Sequence, residues 1–60
     1  MNERQDPIER ERARVMVIEA AAMNEHPSGR LRIREMDRIS ALTGVDGESI
    51  RHDARQAGAL

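Results

Sequence analysis

One glycine constrains this chain more than any other residue. Gly44 lies inside the run Ile39-Ser40-Ala41-Leu42-Thr43-Gly44-Val45-Asp46-Gly47-Glu48-Ser49-Ile50-Arg51-His52-Asp53. Before it, Met36, Ile39 and Leu42 recur at i, i+3 and i+6, the spacing of one face of a helix. After it, Ile50, Ala54 and Ala57 recur at i, i+4 and i+7. Between the two stripes one helix must stop and the chain must turn sharply. Glycine adopts a positive φ there at no steric cost. Val45 plugs the corner. The carboxylate of Asp46 can accept from the first N–H groups of the next helix. Ile39, Leu42, Val45 and Ile50 can then bury one small core. The stretch therefore predicts two helices, from near residue 34 or 35 to 43 and over 47–57, joined by a tight turn.

Size makes that core important. Sixty residues form a single domain near the lower limit for folding alone. The chain has no cysteine, which excludes disulfides and Cys-ligated zinc as staples. It also has no Phe, Tyr or Trp, so Ile, Leu, Val, Met and Ala must supply the core. A core this thin predicts that a second copy or a partner covers part of the apolar surface, with a homodimer as the default.

Residues 1–5 are expected to be a disordered N-terminus, and 6–60 a single domain. Asp6-Pro7-Ile8-Glu9 reads as a helix start. Asp6 caps, Pro7 takes the first helical position, and Glu9 can complete a capping box. The helix is predicted over 7–24. Its first half is nearly all charge, with Glu11 and Arg14 placed for an i,i+3 ion pair. Its second half is apolar almost all round, which implies packing on more than one side. Ile8, Val15, Ile18 and Ala22 are assigned to cover the two later helices. Ala13, Met16, Val17, Ala20 and Met23 are left for the same helix of a second subunit. Pro27 disfavours helical geometry at His26, and Ser28-Gly29 supplies a turn. Arg30-Leu31-Arg32-Ile33-Arg34 then alternates strictly. That is the pattern of a short half-buried strand, or of an extended lead-in with Leu31 and Ile33 pointing inward. The fold class is all-α: a three-helix helix-turn-helix domain, with room for a very short strand before the second helix.

Ten basic residues face eleven acidic ones, and every basic residue is Arg. A net charge near zero argues against coating nucleic acid non-specifically. Arginines gathered on one face would still serve specific recognition, because Arg makes bidentate contacts to phosphate and guanine that Lys does not. Nothing points to an enzyme. Cys, Tyr and Lys are absent, and Gly44-Val45-Asp46-Gly47 has too few glycines and the wrong spacing for a phosphate loop. His26 and His52 lie in different segments without ligand spacing, so no metal and no cofactor are expected. No run reaches the roughly 18 apolar residues of a membrane span. The polar N-terminus is unlike a signal peptide. A soluble cytoplasmic protein with no membrane association is expected.

Residues 42–53 resemble the helix-turn-helix of DeoR-type winged-helix repressors. In that family the turn reads Gly-Val-Ser and the recognition helix opens with a Thr-Ile-Arg-Arg-Asp run. Here the turn is Gly44-Val45-Asp46 and the run is Ser49-Ile50-Arg51-His52-Asp53. The order of elements follows the family over about residues 15–60. No wing is expected after Leu60, the third helix is about a turn shorter, and Asp46 and Glu48 bring carboxylates to its start. The resemblance implies a small sequence-specific DNA-binding regulator, a transcriptional repressor or a mobile-element regulator. It would act as a dimer on an operator of double-stranded DNA. On that reading Arg51 or Arg55 reaches a guanine edge, Ser49 holds a phosphate and His52 contacts phosphate or base. Arg30, Arg32 and Arg34 would add backbone contacts. The alternative is a protein-interaction module on the same scaffold that binds another regulatory protein through the Val15–Met23 surface or the third helix. A merely solvated third helix would instead pair Arg51 and Arg55 with Glu48 and Asp53.

Overall fold

A computed structural model describes residues 6–24 and 29–60. It contains α1 (Pro7–Met23), α2 (Ile33–Thr43) and α3 (Gly47–Gln56), each packed against the other two. All three begin where a side chain can take N–H groups that a helix start leaves unpaired. The Asp6 carboxylate accepts from the Ile8 N–H at 2.8 Å. Glu9 does not complete a box with Asp6; its carboxylate takes Arg12 at 2.9 Å instead. The reciprocal contact forms at α2, where Glu35 accepts from the Arg32 N–H at 2.7 Å. The expected tail at 1–5, the Pro27-Ser28 turn and His26 lie outside the described residues.

The turn between α2 and α3 follows from its residues. Gly44 has φ 76°, the left-handed region, and its N–H closes on the Ser40 carbonyl at 2.8 Å. The Ser40 hydroxyl donates to the Val45 carbonyl at 2.6 Å. The Thr43 hydroxyl donates to the Ile39 carbonyl at 2.8 Å and accepts from the Val45 N–H at 3.3 Å. Side chains of α2 thus satisfy polar groups that the turn removes from water. Gly47 is the first residue of α3, outside the interior where glycine costs most.

The core is Ala13, Val17, Leu31, Met36, Ile39, Val45, Ile50, Ala54 and Ala59. Ile50, Val17 and Val45 are its largest fully buried side chains. Each large apolar side chain contributes about 1.5–3 kcal/mol on burial.

Several expectations need correction here. The two faces of α1 are exchanged. Ala13 and Val17, expected at a subunit interface, are wholly buried in the protomer's own core, with Met16 and Ala20 packed beside them. Met23, of the same expected set, is 78% exposed. Ile8, Val15 and Ile18, expected to cover the later helices, are exposed instead. Both faces are apolar, so hydrophobicity alone does not choose between them. The small Ala13 and Ala20 let neighbouring helices approach closely, and the inner face carries Arg10, which reaches a buried acid on α3.

Leu42 points out, 50% exposed, and Thr43 points in, because the Thr43 hydroxyl is needed to close the turn. Ile33 is 67% exposed because helical periodicity begins with it, so the alternation that buries Leu31 does not extend to Ile33. No strand occurs among the described residues. Residues 29–32 are a lead-in held by the backbone hydrogen bond from the Leu31 N–H to the Ala59 carbonyl at 2.7 Å and by the Asn24 side-chain amide, which donates to the Arg30 carbonyl. Ala57 is exposed, and Ala59, brought back after Gly58 at φ 74°, takes the expected place in the core.

Candidate nucleic-acid interface

α3 turns Ile50, Asp53 and Ala54 inward at i, i+3 and i+4. The same geometry leaves Glu48, Arg51, His52, Arg55 and Gln56 exposed, with Ser49 half-buried at the edge. An open depression of about 460 Å³ runs along this face, lined by Arg10, Asp46, Glu48, Ser49, Arg51, His52 and Arg55. It gathers four of the residues expected to contact DNA: Ser49, Arg51, His52 and Arg55. It does not include Arg30, Arg32 or Arg34. Those three are exposed, but on the lead-in and the first turn of α2.

The state of the carboxylates decides what this face offers. Asp46 accepts from the Ser49 N–H at 3.1 Å and from the Ser49 hydroxyl at 2.9 Å. The Ser49 hydroxyl, more than any other group, holds the Asp46 carboxyl below its ordinary pKa. Phosphate oxygens require donors, and the one hydroxyl proton of Ser49 is directed at Asp46. The expected Ser49–phosphate contact therefore competes with the cap of α3.

Asp53 was the residue least legible in the sequence. It is only 6% exposed and is gripped in bidentate fashion by Arg10 of α1. Arg10 Nη2 reaches Asp53 Oδ1 at 2.9 Å, and Nη1 closes on Oδ2. The hydrogen bond to Asp53 is the largest effect raising the Arg10 pKa above its ordinary value. A buried carboxylate without a cation is strongly unfavourable, so Asp53 and Arg10 have to be read together. The available signal was position: Asp53 follows Ile50 by three and adjoins Ala54, on the inward stripe of α3.

Asp53 is thus no partner for Arg51 or Arg55. Among the described residues neither arginine forms an ion pair. Glu48 is the remaining carboxylate on the exposed face. It also lines a smaller groove of about 230 Å³ with Ile33, Met36, Asp37, Gly47 and Arg51, between the starts of α2 and α3.

No protein-family model, curated protein or solved structure matches the chain. Among the described residues no helix is long and apolar enough to cross a membrane.

Proposed function

We propose that the chain is a sequence-specific DNA-binding regulator of the helix-turn-helix type, with α3 entering the major groove. The observation that carries this reading is the unpaired state of Arg51 and Arg55. They lie one turn apart on the exposed face of α3 and have no carboxylate partner among the described residues. Two acids that share their helix or its cap are engaged elsewhere, Asp46 with Ser49 and Asp53 with Arg10. With side chains a helix such as α3 is about 10–12 Å across, which fits a major groove about 12 Å wide. Either arginine can then present its planar fork to guanine O6 and N7. His52 stands beside them, and the Glu48 carboxylate is suited to accept from a cytosine amino group. Occupying an operator in this way fits a transcriptional repressor or a mobile-element regulator.

Selection of bound duplexes from a random pool with the purified protein tests the reading. Salt titration of the enriched duplex should show log K falling by about 0.9 for each phosphate contacted, per unit of log salt. Arg51→Ala should cost about 1–3 kcal/mol on that duplex, roughly 5- to 150-fold in affinity. If no duplex is enriched, or if Arg51→Ala with Arg55→Ala binds as the parent does, the proposal fails.

A further inference from the structure

We propose that two copies of this chain pair antiparallel through the outward face of α1, and that this pairing sets both third helices on one side of the dimer. Ile8, Val15 and Ala22 recur every seven residues on that face, and Ile18 lies between the last two. All four are exposed. Seven-residue spacing with an intermediate position is the spacing of a helix–helix seam.

Charge selects a second copy as the occupant. Of the three carboxylates on α1, Glu9 and Glu11 already hold Arg12 and Arg14, whereas Glu19 forms no ion pair among the described residues. Val15 is the midpoint of Pro7–Met23. A two-fold axis at Val15, perpendicular to the helix, sets Ile8 against the partner's Ala22. It also brings Arg12, which holds Glu9 of its own chain through Nη1, within one residue, about 1.5 Å of rise, of the partner's Glu19, so that one guanidinium would bridge two carboxylates. The symmetry makes that pair twice. On the other edge each Arg14 keeps its own Glu11. A parallel pair would instead stack Glu11 on the partner's Glu11 along the seam, like charge on like charge. The antiparallel register separates them toward opposite ends.

The grooves beside α1 fix what lies on each edge. One of about 290 Å³ joins Arg10, Arg14 and Ile18 of α1 to His52, Asp53 and Gln56 of α3. Another of about 360 Å³ joins Glu19 and Met23 of α1 to Glu35 and Arg38 of α2. α3 therefore flanks the Arg14 edge and α2 the Glu19 edge. A two-fold axis lying in the seam maps each edge onto its own kind. Both α3 helices then flank the same side, with both Arg14 side chains between them. The parallel pair would put the two α3 helices on opposite sides. Only the use of this arrangement rests on the DNA-binding reading of α3. A seam of one helix is at the small end of specific interfaces, so dissociation on the order of micromolar is expected.

Sedimentation equilibrium on the full chain, without DNA, tests the pairing between about 1 µM and about 1 mM. A reversible monomer–dimer equilibrium is expected. Val15→Asp sets two carboxylates face to face at the axis and should give a monomer with an unchanged far-UV circular dichroism spectrum. Because both sites are exposed, Arg12→Glu should fold normally yet weaken the dimer about tenfold at low salt. Adding Glu19→Arg to it should restore the parent affinity. The chain has no cysteine, so orientation can be read by oxidising mixtures of Ile8→Cys and Ala22→Cys chains. The antiparallel pair links one to the other. A monomer at every concentration, a dimer indifferent to Val15→Asp, no recovery in the charge swap, or Ile8→Cys linking only to itself would each overturn the proposal. None of these outcomes bears on whether α3 binds duplex, so the two readings fail separately.

Discussion

Removing Arg10 should destabilise this domain more than any other single change on its surface. Asp53 is 6% exposed and Arg10 30%, and the two are joined through both Nη atoms of the guanidinium. Arg10→Ala leaves the carboxylate buried without a cation. Breaking a fully buried pair in this way costs about 3–5 kcal/mol. Arg10 is open to water on one side, so solvent can partly replace it, and about 2–3 kcal/mol is the expected loss. Helix propensity cannot account for it, because Ala is a better helix former than Arg. A sixty-residue domain has a total stability of only about 3–9 kcal/mol, so much of the margin goes. Asp53→Ala should cost less, since a lone Arg10 can swing into water whereas a lone Asp53 cannot. Arg10→Met with Asp53→Leu removes both charges and should recover most of the parent stability. Urea unfolding followed by far-UV circular dichroism measures all four proteins. An Arg10→Ala variant within about 0.5 kcal/mol of the parent would refute the assignment of this pair as the clamp between α1 and α3.

The two glycines around the turn should respond with opposite signs. Nothing lies within 4 Å of a Cβ built on Gly44, so Gly44→Ala meets no clash and should lose only the left-handed backbone strain, about 1–2 kcal/mol in urea unfolding. Gly47, at the start of α3 and equally open, has an ordinary backbone, and Gly47→Ala should gain about 0.4–1 kcal/mol. Asp46→Ala should cost about 1 kcal/mol as a lost cap. Because folding lowers the Asp46 pKa, the cap's contribution is complete above the ordinary carboxyl value of 3.8 and is lost as pH falls below it. Urea midpoints of the parent and Asp46→Asn across that range should converge toward low pH; parallel curves would contradict the sign.

The helices and the turn were legible in the sequence because local chemistry sets them. Asp6-Pro7 and Asp46 can only be starts, and Gly44 only an end. What the sequence hid was direction. α1 is apolar on two sides, so the choice of inner face depends on Ala13 fitting against its neighbours and on Arg10 meeting Asp53. Those two lie 43 residues apart in the chain, and no periodicity links them. Leu42 was misplaced for a related reason. Hydrophobicity favours burying Leu42, but the turn needs the Thr43 hydroxyl. On the candidate DNA face, residue identity was readable while occupancy was not. Ser49 follows Asp46 by three residues, and only the folded helix end shows that they satisfy each other.

The near-neutral charge of the chain therefore says little about α3. Three of its arginines are cancelled in pairs: Arg10 by Asp53, Arg12 by Glu9 and Arg14 by Glu11. Glu35 and Asp46 serve helix starts. Arg51 and Arg55 remain uncancelled on α3, so the local field there follows from which acids are committed elsewhere. Glu48 is what opposes it. A carboxylate beside two arginines weakens attraction to phosphate in general, yet it discriminates between bases where it meets a cytosine amino group. A chain that gives up general attraction and keeps its arginines unpaired gains selectivity at the expense of affinity per domain. In the proposed dimer, two such domains on one side would recover affinity by acting together, because the second domain would bind at a high effective concentration. On the two proposals together, the outward stripe of α1 and the exposed arginines of α3 would answer the same physical need.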